Sequence, residues 1–137
     1  LRRVVGVPLR VVHGVRNPYD NIATMSLRSR DRSLAASADR YFSLCSTVAA
    51  TRARLAPDEL IDVRHEDLVA APAAALERLS QFLGLAPEPE YIAASAAIVR
   101  ESPHRSREKV EWTDGLVESV AGRMADFPHL AGYDFAH

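Results

Sequence analysis

The chain has 137 residues, 47% of them hydrophobic and 26% charged, which is the size and composition of one globular domain with a core of its own. Its 17 basic and 18 acidic side chains give a net charge of −1 at pH 7, which argues against a general nucleic-acid-coating protein and against adhesion to an anionic membrane. The single cysteine, Cys45, excludes a disulfide framework and a Cys/His metal cluster.

The first predicted elements are a strand that leads directly into a capped helix. The apolar, β-branched residues between Leu9 and Val15 are typical of a strand in a parallel sheet. Asn17 then predicts a helix N-cap and Pro18 a first helical residue, in a helix that continues to about Leu27.

Two side chains of this segment are candidates for anion binding. Arg16 follows the predicted strand, and the Thr24 hydroxyl lies one to two turns into the predicted helix. Ligands of open α/β sheets sit beyond the carboxyl ends of strands, and helix N-termini favour anions. The residues alone leave a second interpretation open, in which Arg16 caps a sheet edge and Thr24 bonds back to its own helix.

The remaining elements are predicted from apolar spacing, caps and prolines. They are a long helix over 34–55, a strand over 60–64 with a turn over 64–68, a helix over 72–83 capped by Gly84, a helix over about 90–99, a basic loop over 101–111, and a helix over about 114–125 capped by Thr113. Cys45 lies centrally in the long helix and is expected to be a small buried hydrophobe. Two strands are too few for a complete doubly wound sheet, so the sheet is expected to be incomplete.

The segment from Arg16 to Thr24 resembles the 3′-phosphate-binding segment of sulfotransferases that use 3′-phosphoadenosine 5′-phosphosulfate (PAPS). In that family an arginine ends a strand, an Asn/Asp-Pro-x-Asp turn follows, and a serine lies eight residues after the arginine. Arg16, the turn Asn17-Pro18-Tyr19-Asp20 and Thr24 keep this order, with threonine in place of serine. The resemblance implies that Arg16 and Thr24 bind the 3′-phosphate through charge-assisted hydrogen bonds.

A late basic segment is similar to a second family motif. Arg105 precedes Trp112 by seven residues, as in the family's loop that closes over the same phosphate, although Ser106 and Arg107 replace the family's lysine and glycine. This similarity implies that Arg105 and Arg107 also bind the 3′-phosphate. The alternative is a solvated basic loop. The stretches 64–68 and 82–85 resemble scaffold motifs of the same family.

The resemblance implies an α/β, three-layer fold related to P-loop kinases, with an incomplete parallel sheet flanked by helices. Residues 1–137 would form a single but partial sulfotransferase domain that lacks the amino-terminal phosphosulfate-binding part. Its role would be to supply the 3′-phosphate-binding half of an enzyme that transfers a sulfuryl group from PAPS to a hydroxyl or amine acceptor. The acceptor would be a small molecule, a glycan or a lipid, with no metal and no nucleic-acid partner.

Some properties are not assigned by these motifs. The family's catalytic base and phosphosulfate loop precede the opening motif, so no catalytic residue is predicted and the chain alone is expected to be inactive. The acceptor and the oligomeric state are also not predicted. Two other functions stay open: a nucleotide or adenylylsulfate kinase-like phosphotransferase, and a non-catalytic nucleotide- or nucleic-acid-binding module.

The origin and location of the protein are also expectations. Leu1 in place of Met favours a fragment or processed product, and abundant arginine and alanine favour a bacterial source. No apolar run approaches the roughly 18 residues of a membrane span and no signal peptide is visible, so the cytoplasm is expected.

Overall fold

The computed structural model describes residues 9–29, 33–99, 102 and 104–136. The chain divides into two units, one formed by Leu1–Val15 and Arg54–Pro103, the other by Arg16–Ala53 and His104–His137. All four candidate site residues therefore belong to the second unit.

The structure mixes strands and helices, as the sequence predicts. In chain order the elements are β1 (Val11–Val15), α1 (Pro18–Leu27), α2 (Leu34–Arg52), β2 (Leu60–Arg64), α3 (His65–Ala70), α4 (Pro72–Leu83), α5 (Pro89–Ala97) and α6 (Asp114–Met124), with 3-10 turns at Pro57–Glu59, Ser106–Lys109 and Pro128–Leu130. None of the helices in the described ranges is both long and apolar enough to cross a membrane.

The first unit contains a small parallel sheet. β1 and β2 pair in register from Val11 opposite Leu60 to Val15 opposite Arg64. Val15 is buried, with 3% of its surface exposed. His13 and Asp62, which face each other in this register, place Nδ1 and Oδ1 2.8 Å apart. The sheet thus confirms a parallel strand pair flanked by helices, and β1 begins two residues later than the sequence predicts.

The turn predicted over residues 64–68 is wrong, because the chain forms α3 there. Arg64 has extended dihedral angles, and the acidic residues Glu66 and Asp67 in the first turn interact favourably with the helix dipole. The helix stops at Ala71, whose φ of −142° is non-helical, because a residue before proline is disfavoured in the α region.

The ends of two other helices also differ from prediction. α2 ends at Arg52 rather than near residue 55, and the chain then reaches a 3-10 turn in which the Ala56 N–H donates to the Glu59 carboxylate at 2.8 Å. α5 runs over Pro89–Ala97 rather than 90–99, because Pro89 takes a first-turn position where its missing N–H has no cost.

The second unit is built around α1, α2 and α6. Its core contains buried side chains from all three helices and from the 3-10 turn that follows α6: Tyr19, Ile22, Ala23, Ala38, Tyr41, Phe42, Cys45, Val120, Met124 and Leu130. Cys45 is 5% exposed, which confirms the predicted buried position. The Phe42 ring stacks on the Phe127 ring, with the two centroids 5.8 Å apart. The Arg123 guanidinium lies 4.2 Å from the centroid of the Phe42 ring.

Burial of weak acids makes this unit sensitive to high pH. Burial raises the pKa of Tyr41 and Tyr19 above the ordinary 10.0, and it raises the pKa of Cys45 above 9.0. These groups ionise more readily in the unfolded chain, so their contribution to stability is complete only below their ordinary pKa values, at about pH 8 and lower, and is lost as the pH rises towards their folded values. We expect Tm to fall by several degrees between pH 9 and 11, since about 1 kcal/mol shifts Tm by roughly 2–8 °C.

The measurement is thermal unfolding by circular dichroism at a series of pH values. Tyr41→Phe should flatten the decline, because it removes a buried group that titrates in this range. A Tm that stays constant to pH 11, or an equal decline in the Tyr41→Phe protein, would contradict this account.

Candidate anion-binding site

The amino terminus of α1 is fixed by its cap. The Asn17 side-chain oxygen accepts a hydrogen bond from the Tyr19 N–H at 2.9 Å, and Pro18 occupies the first helical position, as predicted. The Asn17 amide also donates to the carbonyl of Asp134 at 2.9 Å, and the residue is 1% exposed. This doubly bonded cap sets the position of the preceding residue, Arg16.

Arg16 and Thr24 lie together, as the sequence predicts. The Arg16 Nη1 is 3.4 Å from the Thr24 hydroxyl, and its Nη2 donates to the carbonyl of His104 and lies 3.4 Å from the Ser106 hydroxyl. Thr24 in turn donates to the Ser106 hydroxyl at 2.8 Å. A guanidinium and two hydroxyls therefore form one cluster, which joins α1 to the late loop.

One nitrogen of this cluster has no partner within the described part of the chain. The Arg16 Nε is buried and makes no hydrogen bond there. A buried N–H without an acceptor costs about 1–3 kcal/mol, more for a charged group. The cluster is thus rich in donors, and an oxyanion would supply the acceptor that it lacks.

The two loop arginines occupy different environments. The Arg105 side chain is 54% exposed and its Nη1 lies 3.7 Å from the Glu108 carboxylate. Arg107 is buried, and its Nη1 lies 2.8 Å from the carboxylate of Asp20, with the two side chains 5% and 3% exposed. The described contacts of Arg105 are thus with Glu108 rather than with Arg16 or Thr24, whereas Arg107 is bound to α1 through Asp20.

The late loop carries more structure than the sequence predicts. Ser106–Lys109 is a 3-10 turn rather than an irregular segment. The Arg107 N–H donates to Asp20 Oδ1 at 2.9 Å, and the Trp112 indole N–H donates to the Arg107 carbonyl at 3.2 Å. Because both the N–H and the carbonyl of Arg107 are hydrogen-bonded, the loop has a defined position on α1.

An open cleft of about 490 Å³ lies beside this loop. Its wall includes the aromatic rings of Trp112 and Phe135, together with Arg105, Glu108 and Val110. The rings of Trp112 and Phe135 meet edge to face at 5.7 Å. Arg105 therefore lies at a surface that combines charge with apolar area.

Two residues of the site are not predicted from the sequence: Ser106, which belongs to the cluster, and Asp20, which binds Arg107 beside it. The sequence identifies Ser106 only as a departure from the family's lysine, and Asp20 only as part of the turn after Arg16. The spacing did hold a signal, because Asp20 and Thr24 are four residues apart and share one face of α1. Nothing in the sequence indicated that Ser106 would meet that face. In the described ranges, no group of three or more His, Cys, Asp or Glu side chains could hold a metal ion.

A family model described as "Sulfotransferase family" matches residues 9–89, which is more than half of the chain and includes β1, α1 and β2. No curated protein and no solved structure matches the chain significantly.

Proposed function

Because the chain belongs to the sulfotransferase family, we propose that it serves sulfuryl transfer from PAPS to a hydroxyl or amine acceptor by binding the 3′-phosphate of the donor. The observation that carries this proposal is the cluster at the start of α1, where the Arg16 guanidinium lies beside the Thr24 hydroxyl. The buried Arg16 Nε that lacks an acceptor among the described residues supports it, because a phosphate oxygen is such an acceptor.

The residues of the site would have different roles in binding the nucleotide. Arg16 offers a planar set of N–H donors that suits a phosphate, which a lysine would contact only as a point charge. Thr24 adds a hydroxyl, and each hydrogen bond to the charged phosphate contributes about 1.5–3 kcal/mol. Arg105, with its exposed side chain, is proposed to close over the same phosphate. Arg107 is assigned to holding the loop, because its guanidinium is bonded to Asp20.

The proposed chemistry follows from the family. The S–O bond of the PAPS phosphosulfate breaks as sulfur bonds to the acceptor oxygen or nitrogen. 3′-Phosphoadenosine 5′-phosphate (PAP) leaves, and the acceptor releases its proton. The residues described above would orient the nucleotide through its 3′-phosphate. We further propose that β1 and β2 are part of a larger three-layer sheet like that of P-loop kinases, and that this chain is the 3′-phosphate-binding half of that domain.

The proposal is tested by calorimetric titration of the chain with PAP. We expect Arg16→Ala to weaken PAP binding at least about tenfold, a loss of roughly 1.4 kcal/mol or more, because it removes the charged donors of the cluster. Arg16→Lys should recover only part of the affinity, since lysine cannot form the bidentate contact.

The matched control is Arg40→Ala, which removes an exposed arginine of α2. It should leave PAP affinity unchanged, because the charge lost is the same but lies outside the cluster. Equal PAP affinity in the unsubstituted chain and in Arg16→Ala would refute the proposed function.

A further inference from the structure

We propose that Ser106 is a third ligand group for the donor's 3′-phosphate, and that the buried ion pair between Asp20 and Arg107 positions it. This inference rests on the proposed function, to which it adds one ligand and one positioning pair.

The hydrogen bonds of Ser106 leave one donor for a ligand. Its hydroxyl oxygen accepts from Thr24 at 2.8 Å and from the Arg16 Nη2 at 3.4 Å, and the residue is 3% exposed. A hydroxyl has two acceptor positions and one proton, so with both positions taken the proton remains to donate. The Arg16 Nε–H is a second buried donor of the same cluster. Two donors without described acceptors, next to a guanidinium, fit a phosphate group.

The ion pair places Ser106 in this cluster. Arg107 follows Ser106 directly, and both its N–H and its guanidinium bond to the Asp20 carboxylate, at 2.9 Å and 2.8 Å. Asp20 lies one helical turn before Thr24 on the same face of α1. The pair therefore holds the residue next to Ser106 against the face that carries Thr24. Because burial of two charges contributes little net stability, we assign the pair to fixing the position of the loop.

The affinities for two nucleotides distinguish contacts to the 3′-phosphate from binding of the rest of the nucleotide. PAP and adenosine 5′-phosphate differ by the 3′-phosphate alone, so the ratio of their affinities measures the contacts to that phosphate. We expect Ser106→Ala to lower the preference for PAP about tenfold while the affinity for adenosine 5′-phosphate stays constant. Ser46→Ala is the matched control, because its hydroxyl bonds to the Phe42 carbonyl of its own helix, and it should leave the ratio unchanged.

The positioning pair is tested with two further proteins, each checked for folding by circular dichroism. The double variant Asp20→Asn/Arg107→Met removes both charges at similar volume, so it should fold with a Tm close to that of the unsubstituted chain and yet lose at least about fivefold of the PAP preference. Arg107→Lys keeps the positive charge, so it should lose less of the PAP preference than the double variant. A purely structural role would change Tm and leave the ratio constant.

The outcomes separate this inference from the function on which it rests. If Arg16→Ala lowers the PAP preference but Ser106→Ala and the double variant do not, the inference fails and the proposed function stands. If the double variant does not fold, the pair acts in stability and its positioning role is refuted, while Ser106→Ala still decides the ligand role. If the unsubstituted chain shows no preference for PAP over adenosine 5′-phosphate, both fail.

Discussion

Asp20→Ala should lower the free energy of unfolding by about 3–5 kcal/mol, because it leaves the buried Arg107 guanidinium without its carboxylate. Arg107 and Asp20 are 5% and 3% exposed, so water cannot replace the lost partner without a change in the structure. The substitution also removes the acceptor of the Arg107 N–H and a first-turn acid of α1. Urea unfolding followed by circular dichroism measures the loss.

The chain provides a matched control in a second ion pair of the same unit. The Arg123 Nη1 lies 2.8 Å from the Asp39 carboxylate, the same distance as in the buried pair, but these side chains are 37% and 77% exposed. Asp39→Ala should therefore cost no more than about 1 kcal/mol. Equal losses in the two variants would show that Arg107 reaches solvent when Asp20 is removed, contrary to its burial in the structure.

A double substitution distinguishes the effect of lost charge compensation from the effect of lost packing. Asp20→Ala/Arg107→Met removes the uncompensated guanidinium and fills much of its space, so it should recover part of the stability that Asp20→Ala loses. If Asp20→Ala/Arg107→Met is less stable than Asp20→Ala, packing of the Arg107 side chain rather than charge compensation determines the stability at this position.

The elements that the sequence predicts well are those with local signals at both ends. α1 begins at the Asn17 cap and Pro18 as predicted, and α4 ends at Gly84, whose φ of 76° is a conformation that glycine adopts without strain. α3 has no side-chain cap at its start, and the sequence therefore predicts a turn over residues 64–68 where this helix begins. Short helices depend on their surroundings more than on such signals.

The same distinction holds for the candidate site. Arg16 and Thr24 are eight residues apart, and one capped helix determines their spacing, so sequence reasoning could pair them. Asp20 and Arg107 are 87 residues apart, and only the folded chain brings the loop to α1. Sequence similarity assigns Arg107 to the phosphate ligands only through its position in the loop, two residues after Arg105. Such similarity gives no information on which arginine side chain a buried carboxylate binds in the folded protein.

Tyr19→Ala should destabilise the protein by about 3–5 kcal/mol, because Tyr19 is an aromatic side chain at the centre of a buried cluster. It is 1% exposed, and its ring meets the rings of Trp112 and Phe135 edge to face at 5.4 Å and 5.1 Å. Its hydroxyl donates to the Val117 carbonyl at 3.1 Å. Since Trp112 is the only tryptophan, its fluorescence during urea unfolding reports on this cluster directly.

Tyr19→Phe separates the ring from the hydroxyl. It keeps both edge-to-face contacts and loses only the bond to Val117, so it should cost about 0.5–1.5 kcal/mol. The aromatic cluster of Tyr19, Trp112 and Phe135 also supports the late loop, because the Trp112 indole N–H donates to the Arg107 carbonyl. Tyr19→Ala should therefore weaken PAP binding as well, whereas Tyr19→Phe should preserve it. If the two variants lose equal stability, the hydroxyl rather than the ring holds α1 to the loop, and the aromatic cluster does not support the site.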